Sequence, residues 1–372
     1  MKIILAPDSF KGSLSSLEVI AALEKGIRRA CPYAEIIKIP VADGGEGFCG
    51  SVCSAFGGEY VKTAAKNALF EDMESDFLSL DGKTAVIELA KTAGLTVIPE
   101  TGRNPLLTTT FGVGMQIKEA VLKGFSAIIL GLGGSATNDG GAGLANALGA
   151  EFYDEKGRKI FPSGGNLGEI AYIDTGGLLK EARDIKFALA CDVKNRLCGK
   201  NGAARVFAAQ KGADADGIRL LDKNLSHFAD MLEKTTGKAV RDAPGTGAAG
   251  GAPLIFLSLF DAEIKSGIDI ILDIAGFDKK AENADLIITG EGSLDAQSAF
   301  GKAVSGIGRR AGRAKVIAVC GSADITDAEL EAMNIKAAYP IKTRGMDLNF
   351  AVKNAAVLIE GKIAEILPSL FP

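Results

Sequence analysis

The chain has 372 residues, 47% hydrophobic and 24% charged, and its 42 basic and 46 acidic side chains leave a formal net charge of -4. At about 150 residues per domain this length predicts two domains, each able to bury a core. One histidine, no tryptophan, no basic stripe with interleaved aromatics and no apolar run longer than APLIFLSLF at 252–260 exclude several classes: imidazole-based hydrolases, protein kinases, nucleic-acid binders and membrane-spanning proteins.

The start, MKIILAPDSFKG, has too short an apolar part for a secretory leader, so a cytoplasmic chain is expected. The first predicted strand, KIILAP at 2–7, enters the loop APDSFKGSLSS at 6–16. Asp8 closes the strand there, and Ser9, Lys11 and Ser13 can face a ligand. A helix at 16–30 follows, with Ser15 or Ser16 as its cap and N–H groups that attract anions. The strand EIIKIPV at 35–41 leads into VADGGEGF at 41–48, where Asp43 and Glu46 flank glycines. Such a pair on a flexible turn suits Mg2+ bridged to phosphate oxygens, since Mg2+ takes only one or two protein carboxylates.

Beyond the strand TAVIELA at 84–90, the segment TGRNPLLTTTFGVG at 101–114 offers Arg103 to a carboxylate, or serves only to enter a helix at 112–124. The strand AIILGLG at 127–133 runs into six glycines within thirteen residues, 131–143, with Ser135, Thr137, Asn138 and Asp139 among them, ahead of a helix at 141–150. Exposed N–H groups at such a junction suit phosphate. The strand IKFALAC at 185–191 precedes Asp192, with Lys194, Arg196, Lys200 and Arg205 behind it. Those cations can bind the carboxylate of an anionic hydroxy substrate while Asp192 takes its hydroxyl proton; a solvated basic loop fits equally.

His227 lies in a run of helical periodicity without catalytic neighbours and reads as a packing or surface imidazole. RDAPGTGAAGGAP at 241–253 is a hinge or another binding loop. The strand ADLIITG at 284–290 opens into Gly290, Glu291, Ser293 and Asp295, with Lys302 in a helix at 299–312, and KVIAVCG at 315–321 is the last expected strand. The six cysteines show no CxxC spacing, which with one histidine argues against zinc. Strands alternating with helices define an α/β protein with a largely parallel sheet, whose ligands sit at the carboxyl ends of strands.

No GxxxxGK[ST] loop is present: DGKT at 81–84 and FGKA at 300–303 each miss part of it. GLGGSA at 131–136 fits the G-x-G-x-x-A fingerprint, with Glu151 about twenty residues on. That makes an NAD(P)-dependent hydroxy-acid dehydrogenase the rival reading, although it leaves the acidic glycine loops at 43, 139 and 291 without work. Phosphoryl transfer uses all of them, because it asks the protein for positioning and charge neutralisation. An anion-binding protein without catalysis satisfies the same motifs.

In this order, DSFKGSLSS, ADGGEG, RNPLLTTTFGVG, GLGGSATNDGGAG, ACDVKN and TGEGSLDAQSAFGK resemble the type-1 glycerate kinases of bacteria, from residue 1 to the C-terminus. The resemblance implies ATP- and Mg2+-dependent phosphorylation of a small molecule, D-glycerate, at its 2-hydroxyl. It also implies two α/β domains with the active site in the cleft between them. One is flavodoxin-like, its largely parallel sheet built from both chain ends, 1–65 plus 270–372; the other, 66–269, is inserted and carries a mixed sheet. Two such crossings account for the lack of a visible linker.

On these loops the nucleotide is expected at Gly133, Gly134, Ser135, Asn138, Asp139, Gly140, Gly290, Ser293 and Lys302. The metal is expected at Asp43, Glu46 and Glu291, and the substrate at Asp8, Ser9, Arg103 and Lys194. Lys11 is expected to neutralise the transferring phosphoryl group or the glycerate carboxylate. Asp192 is the first choice for general base and Asp295 the second.

Overall fold

The computed structural model describes residues 1–41, 47–295, 298 and 303–371. The chain divides into two compact units, Met1–Asp43 with Gly267–Pro372, and Gly44–Ser266. In chain order the strands are β1 Lys2–Pro7, β2 Glu35–Lys38, β3 Glu59–Lys66, β4 Asp72–Ser79, β5 Thr84–Glu88, β6 Ala127–Gly131, β7 Glu151–Tyr153 and β8 Lys159–Ile160. They continue as β9 Tyr172–Asp174, β10 Lys186–Ala190, β11 Asp261–Lys265, β12 Leu286–Gly290, β13 Ser293–Asp295, β14 Lys315–Cys320, β15 Ser322–Asp324 and β16 Ala337–Pro340. All the expected strands form, some shorter than expected: the run 35–41 pairs only over Glu35–Lys38.

The unit made from both chain ends has a five-stranded sheet ordered β16-β14-β12-β1-β2, with every neighbouring pair parallel. Counted within the unit this is the order 2-1-3-4-5 of a flavodoxin-like sheet. Ile3, Ile4 and Leu5 of β1 and Leu286, Ile287 and Ile288 of β12 are wholly buried. Strands covered on both faces need no polar alternation, which is why they read as unbroken apolar runs.

The helix Ser16–Ala30 turns Val19, Ile20, Leu23 and Ile27 inward, and Ser15 and Glu18 close a reciprocal capping box at its start. It packs on the C-terminal helix Ala355–Leu370 in one core with β1 and β12. A Cβ at Gly26 would stand 2.3 Å from Ile363 Cγ2 and 2.4 Å from the Glu360 carbonyl oxygen, so only glycine permits this approach.

The unit Gly44–Ser266 has a six-stranded sheet ordered β11-β10-β6-β5-β4-β3. Its first four strands are parallel, whereas β4 and β3 continue it antiparallel. A separate antiparallel sheet, β8-β7-β9, lies within the same unit. β3 and β4 are outside the strands expected from sequence. They form an edge hairpin on which Thr63 and Ala65 are buried between exposed neighbours. Such small residues give little hydrophobic contrast. The helix Ala215–Thr236 buries Leu221, Leu225, Phe228 and Leu232. His227, on this helix, bonds through Nε2 to the Ile170 carbonyl at 2.7 Å, consistent with a packing imidazole.

Candidate active site

In the inserted unit, the carboxyl ends of β5, β6 and β10 stand side by side: Glu88 pairs with Gly131, and Gly131 with Ala190. The loops leaving these ends enclose a pocket of about 250 Å3. It is lined by Gly133, Gly134 and Ser135 after β6, by Asp192 and Val193 after β10, and by Leu95, Lys211, Ala248 and Ala249. The crevice at the strand ends of a parallel α/β sheet is where such folds take ligands. Two features far apart in the sequence, the glycine loop and Asp192, are therefore in one cavity. Of the 241–253 segment, Ala248 and Ala249 form part of the pocket wall.

The glycine loop is held from several sides. The Leu95 amide donates to the Gly134 carbonyl at 2.9 Å, and Gly94 and Ser135 form an isolated bridge. Arg103 sits behind Leu95, donating from Nη2 to its carbonyl at 3.2 Å and pairing with Glu100 at 3.4 Å. Ala249, at φ 47°, and Gly250, at φ 66°, press on the loop from the other side. Left-handed backbone at a non-glycine residue such as Ala249 is uncommon and strained. At Gly250 a Cβ would lie 2.0 Å from the Thr137 carbonyl oxygen, and the Gly140 amide donates to the Gly250 carbonyl at 3.0 Å.

Asp139 is completely buried. Its carboxylate accepts the Thr110 amide and hydroxyl at 2.7 and 2.8 Å, and the Gly141 and Gly143 amides at 3.2 Å each. Burial pushes its pKa up against those donors, which hold it down. The Leu144 amide goes to the Thr110 hydroxyl at 2.9 Å. The N–H groups opening the helix Ala142–Ala147, read from sequence as phosphate donors, are thus engaged by Asp139 and Thr110. What faces the pocket is the stretch Gly133–Ser135. Asn138, also fully buried, has neither amide atom partnered among the described residues. Lys194 is exposed in the loop after Asp192.

Lys211 escaped the sequence reading. It is 2% exposed, and its ammonium donates to the Ser135 hydroxyl at 2.8 Å and the Thr137 carbonyl at 2.7 Å. Burial lowers its pKa to about 7, with the Asp139 charge opposing. The available signal is local composition: AARVFAAQKGA sets one lysine among alanines with no acid beside it.

The flavodoxin-like unit sets Asp8, Ser9 and Lys11 after the carboxyl end of β1 and Glu291 and Ser293 after that of β12, where Pro7 pairs with Gly290. The Asp8 amide donates to the Gly290 carbonyl at 2.8 Å, and the Ser9 amide to Asp8 Oδ1 at 2.6 Å. Lys11 is exposed on the following turn, against whose backbone Gly292 lies. Glu291 is buried just past β12, and its charge joins burial in raising the Cys320 thiol to about 12. Ser293 and Asp295 bound β13, which pairs with β15. Asp43, Glu46 and Lys302 lie outside the described residues.

Glu151, the acid of the dinucleotide fingerprint, is on β7 of the side sheet, where Lys159 and Tyr153 hold its carboxylate. That is not the strand-end position from which such an acid reaches a ribose.

A flavodoxin-like sheet, an inserted mixed sheet and glycine-rich loops with lysines and carboxylates at strand ends fit a small-molecule kinase without a P-loop. The comparisons give the family. The sequence profile of the glycerate kinase family matches residues 3–370. A glycerate kinase of Bacillus subtilis strain 168 is 43% identical over 373 residues, covering 100% of this chain and 98% of its own. The glycerate 2-kinase of Escherichia coli K12 is 41% identical over 358 residues, covering 95% and 94%. A crystal structure from Salmonella typhimurium LT2, provisionally assigned as glycerate kinase 2, matches with a TM-score of 0.85 at 37% identity, covering 100% of this chain and 98% of that one. The chain belongs to the glycerate kinase family.

Proposed function

We propose that the chain transfers the terminal phosphoryl group of ATP to the 2-hydroxyl of D-glycerate, giving 2-phospho-D-glycerate, with Mg2+ as the assisting ion. The observation that carries this reading is the shared pocket of the Gly133–Ser135 loop and Asp192. It places backbone N–H groups suited to an oxyanion beside a carboxylate suited to a hydroxyl proton. The E. coli relative, a glycerate 2-kinase by name, supports the position of transfer.

Asp192 serves as general base, accepting the proton of the attacking hydroxyl as the new O–P bond forms and the bond from the terminal phosphorus to the bridging oxygen breaks, releasing ADP. Asp295 is the alternative base. Gly133, Gly134 and Ser135 face the nucleotide phosphates with Asn138 buried behind them, while Asp139 and Gly140 hold the loop in shape. Gly290 and Ser293 extend the phosphate-binding surface in the flavodoxin-like unit, together with Lys302. Lys11 neutralises charge on the moving phosphoryl group or on the glycerate carboxylate. Asp8, Ser9 and Lys194 contact glycerate, and Arg103 acts from behind Leu95 by fixing that wall.

The donors fit Mg2+. Glu291, buried just past the end of β12, is a carboxylate of the kind this ion takes in small number from a protein. Glu291, with Asp43 and Glu46, would hold it. When bound, Mg2+ supplies charge neutralisation across the phosphate oxygens.

The reading is tested by ADP release from ATP. Release that requires D-glycerate and stops with a chelator supports it. Nicotinamide reduction with a hydroxy acid, and no ADP above background, would replace it with the dehydrogenase.

A further inference from the structure

The turn Ala209–Lys211 delivers a cation into the interior without a carboxylate in contact. The two groups bonded to the Lys211 ammonium, the Ser135 hydroxyl and the Thr137 carbonyl, are both uncharged. An ammonium has three N–H donors, so these leave one for another acceptor. The side chain lines the pocket. Among the described residues the one acid acting on it, Asp139, spends its oxygens on Thr110, Gly141 and Gly143.

A buried cation without a contacting anion costs stability, and an arriving anion removes that cost. The surroundings are short of partners in the same way. Thr137 Oγ1, Asn138 Oδ1 and Asn138 Nδ2 are buried and have no hydrogen-bond partner among the described residues. Buried polar atoms are seldom left so unless a ligand or water completes them.

We propose that Lys211 is the cation of an oxyanion site in this pocket, contacted by a phosphate of the nucleotide or by the carboxylate of the hydroxy-acid substrate. The proposal deepens the kinase reading and rests on it. The exposed Lys194 and Arg196 do not substitute for Lys211, because solvent screens them. The other titratable groups lining the pocket are Asp192 and Cys191, whose thiol burial raises to about 11 and keeps neutral. As pH climbs through about 7, the free enzyme's ammonium loses its proton and the ligand loses its partner, so anion affinity falls.

The test compares the full-length enzyme with Lys211→Met, using ATP, D-glycerate and inorganic tripolyphosphate. Loss of about a hundredfold in affinity for ATP and tripolyphosphate, with the glycerate KM unchanged, places a nucleotide phosphate on Lys211. A rise of similar size in the glycerate KM, with ATP binding unchanged, places the carboxylate there. Either result supports the proposal.

Because methionine removes a buried charge, Tm should hold or rise. Unchanged affinity for all three probes, whatever the Tm, makes Lys211 a structural pin and overturns the proposal. Where the variant is both destabilised and weakened, or does not fold, the wild-type enzyme decides. Affinity for ATP or glycerate falling as pH passes about 7 supports the site, and flat profiles for both overturn it.

Hydrogen exchange of the 132–138 amides in the wild type, with and without ATP, reports separately on the loop. If ATP leaves them unprotected, the phosphate reading of the loop falls, while the Lys211 site is still judged by its own variant.

Discussion

Folding takes the Lys211 ammonium out of water and lowers its pKa from 10.5 to about 7, so between those values the unfolded chain holds a proton that the folded chain has released. Stability rises with pH wherever the unfolded state binds more protons. Without ligand, the Lys211 contribution therefore improves as pH rises from about 7 toward 10.5, and Lys211→Met abolishes that slope. Urea unfolding of both proteins across this range checks it; parallel curves would mean the amine stays solvated. For the chemistry itself, Asp192→Asn and Lys11→Ala should each reduce turnover by about a hundredfold or more with the circular dichroism unchanged. A near-normal kcat in either variant removes that residue from the mechanism. The place of Asp192 at a strand end was legible in the sequence, because it follows an apolar run and precedes cations. Lys211 was not, because its burial is created by Ser135 and Thr137, more than seventy positions away in the chain.

At the scale of elements, the loop after β6 works as a clamped unit. Asp139 gathers its far end, Arg103 steadies Leu95 on one side, and Ala249–Gly251 bears on the other. Gly250→Ala adds a Cβ at 2.0 Å from the Thr137 carbonyl at a left-handed φ of 66°. The expected result is a loss of about 2 kcal/mol or more in unfolding free energy together with weaker ATP binding. Chemical denaturation and calorimetry measure both, and unchanged values would show that 248–251 does not press on the loop.

The same loop shows how far pattern reading reaches. Six glycines in thirteen residues located it correctly at a strand end, and its pocket neighbour Asp192 was found independently. The direction of its donors was not readable. Asp139 and Thr110 take up the helix-start amides, and that depends on a contact across about thirty residues of chain. Long apolar strands such as β1, β6 and β12 were equally plain, being buried on both faces. β3 and β4 were not, since β3 buries only Thr63 and Ala65 and β4 is polar until Phe77 and Leu78 near its end, which leaves no strong period to read.

At the scale of the whole molecule, the sheet order 2-1-3-4-5 is completed only when the two chain ends are counted together. No local pattern carries that information; it came from the ordered set of loop motifs and their resemblance to one family, which the profile match over residues 3–370 establishes. The expected crossings near 65 and 270 compare with a contact division after Asp43 and before Gly267. Residue 65 is inside β3, which pairs with β4 in the inserted unit's sheet. Among the described residues, Asp8 and Gly290 stand at the carboxyl ends of parallel strands in one unit, and the glycine loop and Asp192 follow such ends in the other. Among the described residues, no helix is long and apolar enough to cross a membrane.

The most direct test incubates the enzyme with ATP, Mg2+ and D-glycerate and locates the new phosphate by phosphorus and carbon NMR. Phosphorus coupling to carbon 2 of glycerate is the predicted result. Phosphate on carbon 3 would contradict the proposed position of transfer, and no phosphorylated glycerate at all would contradict the account as a whole.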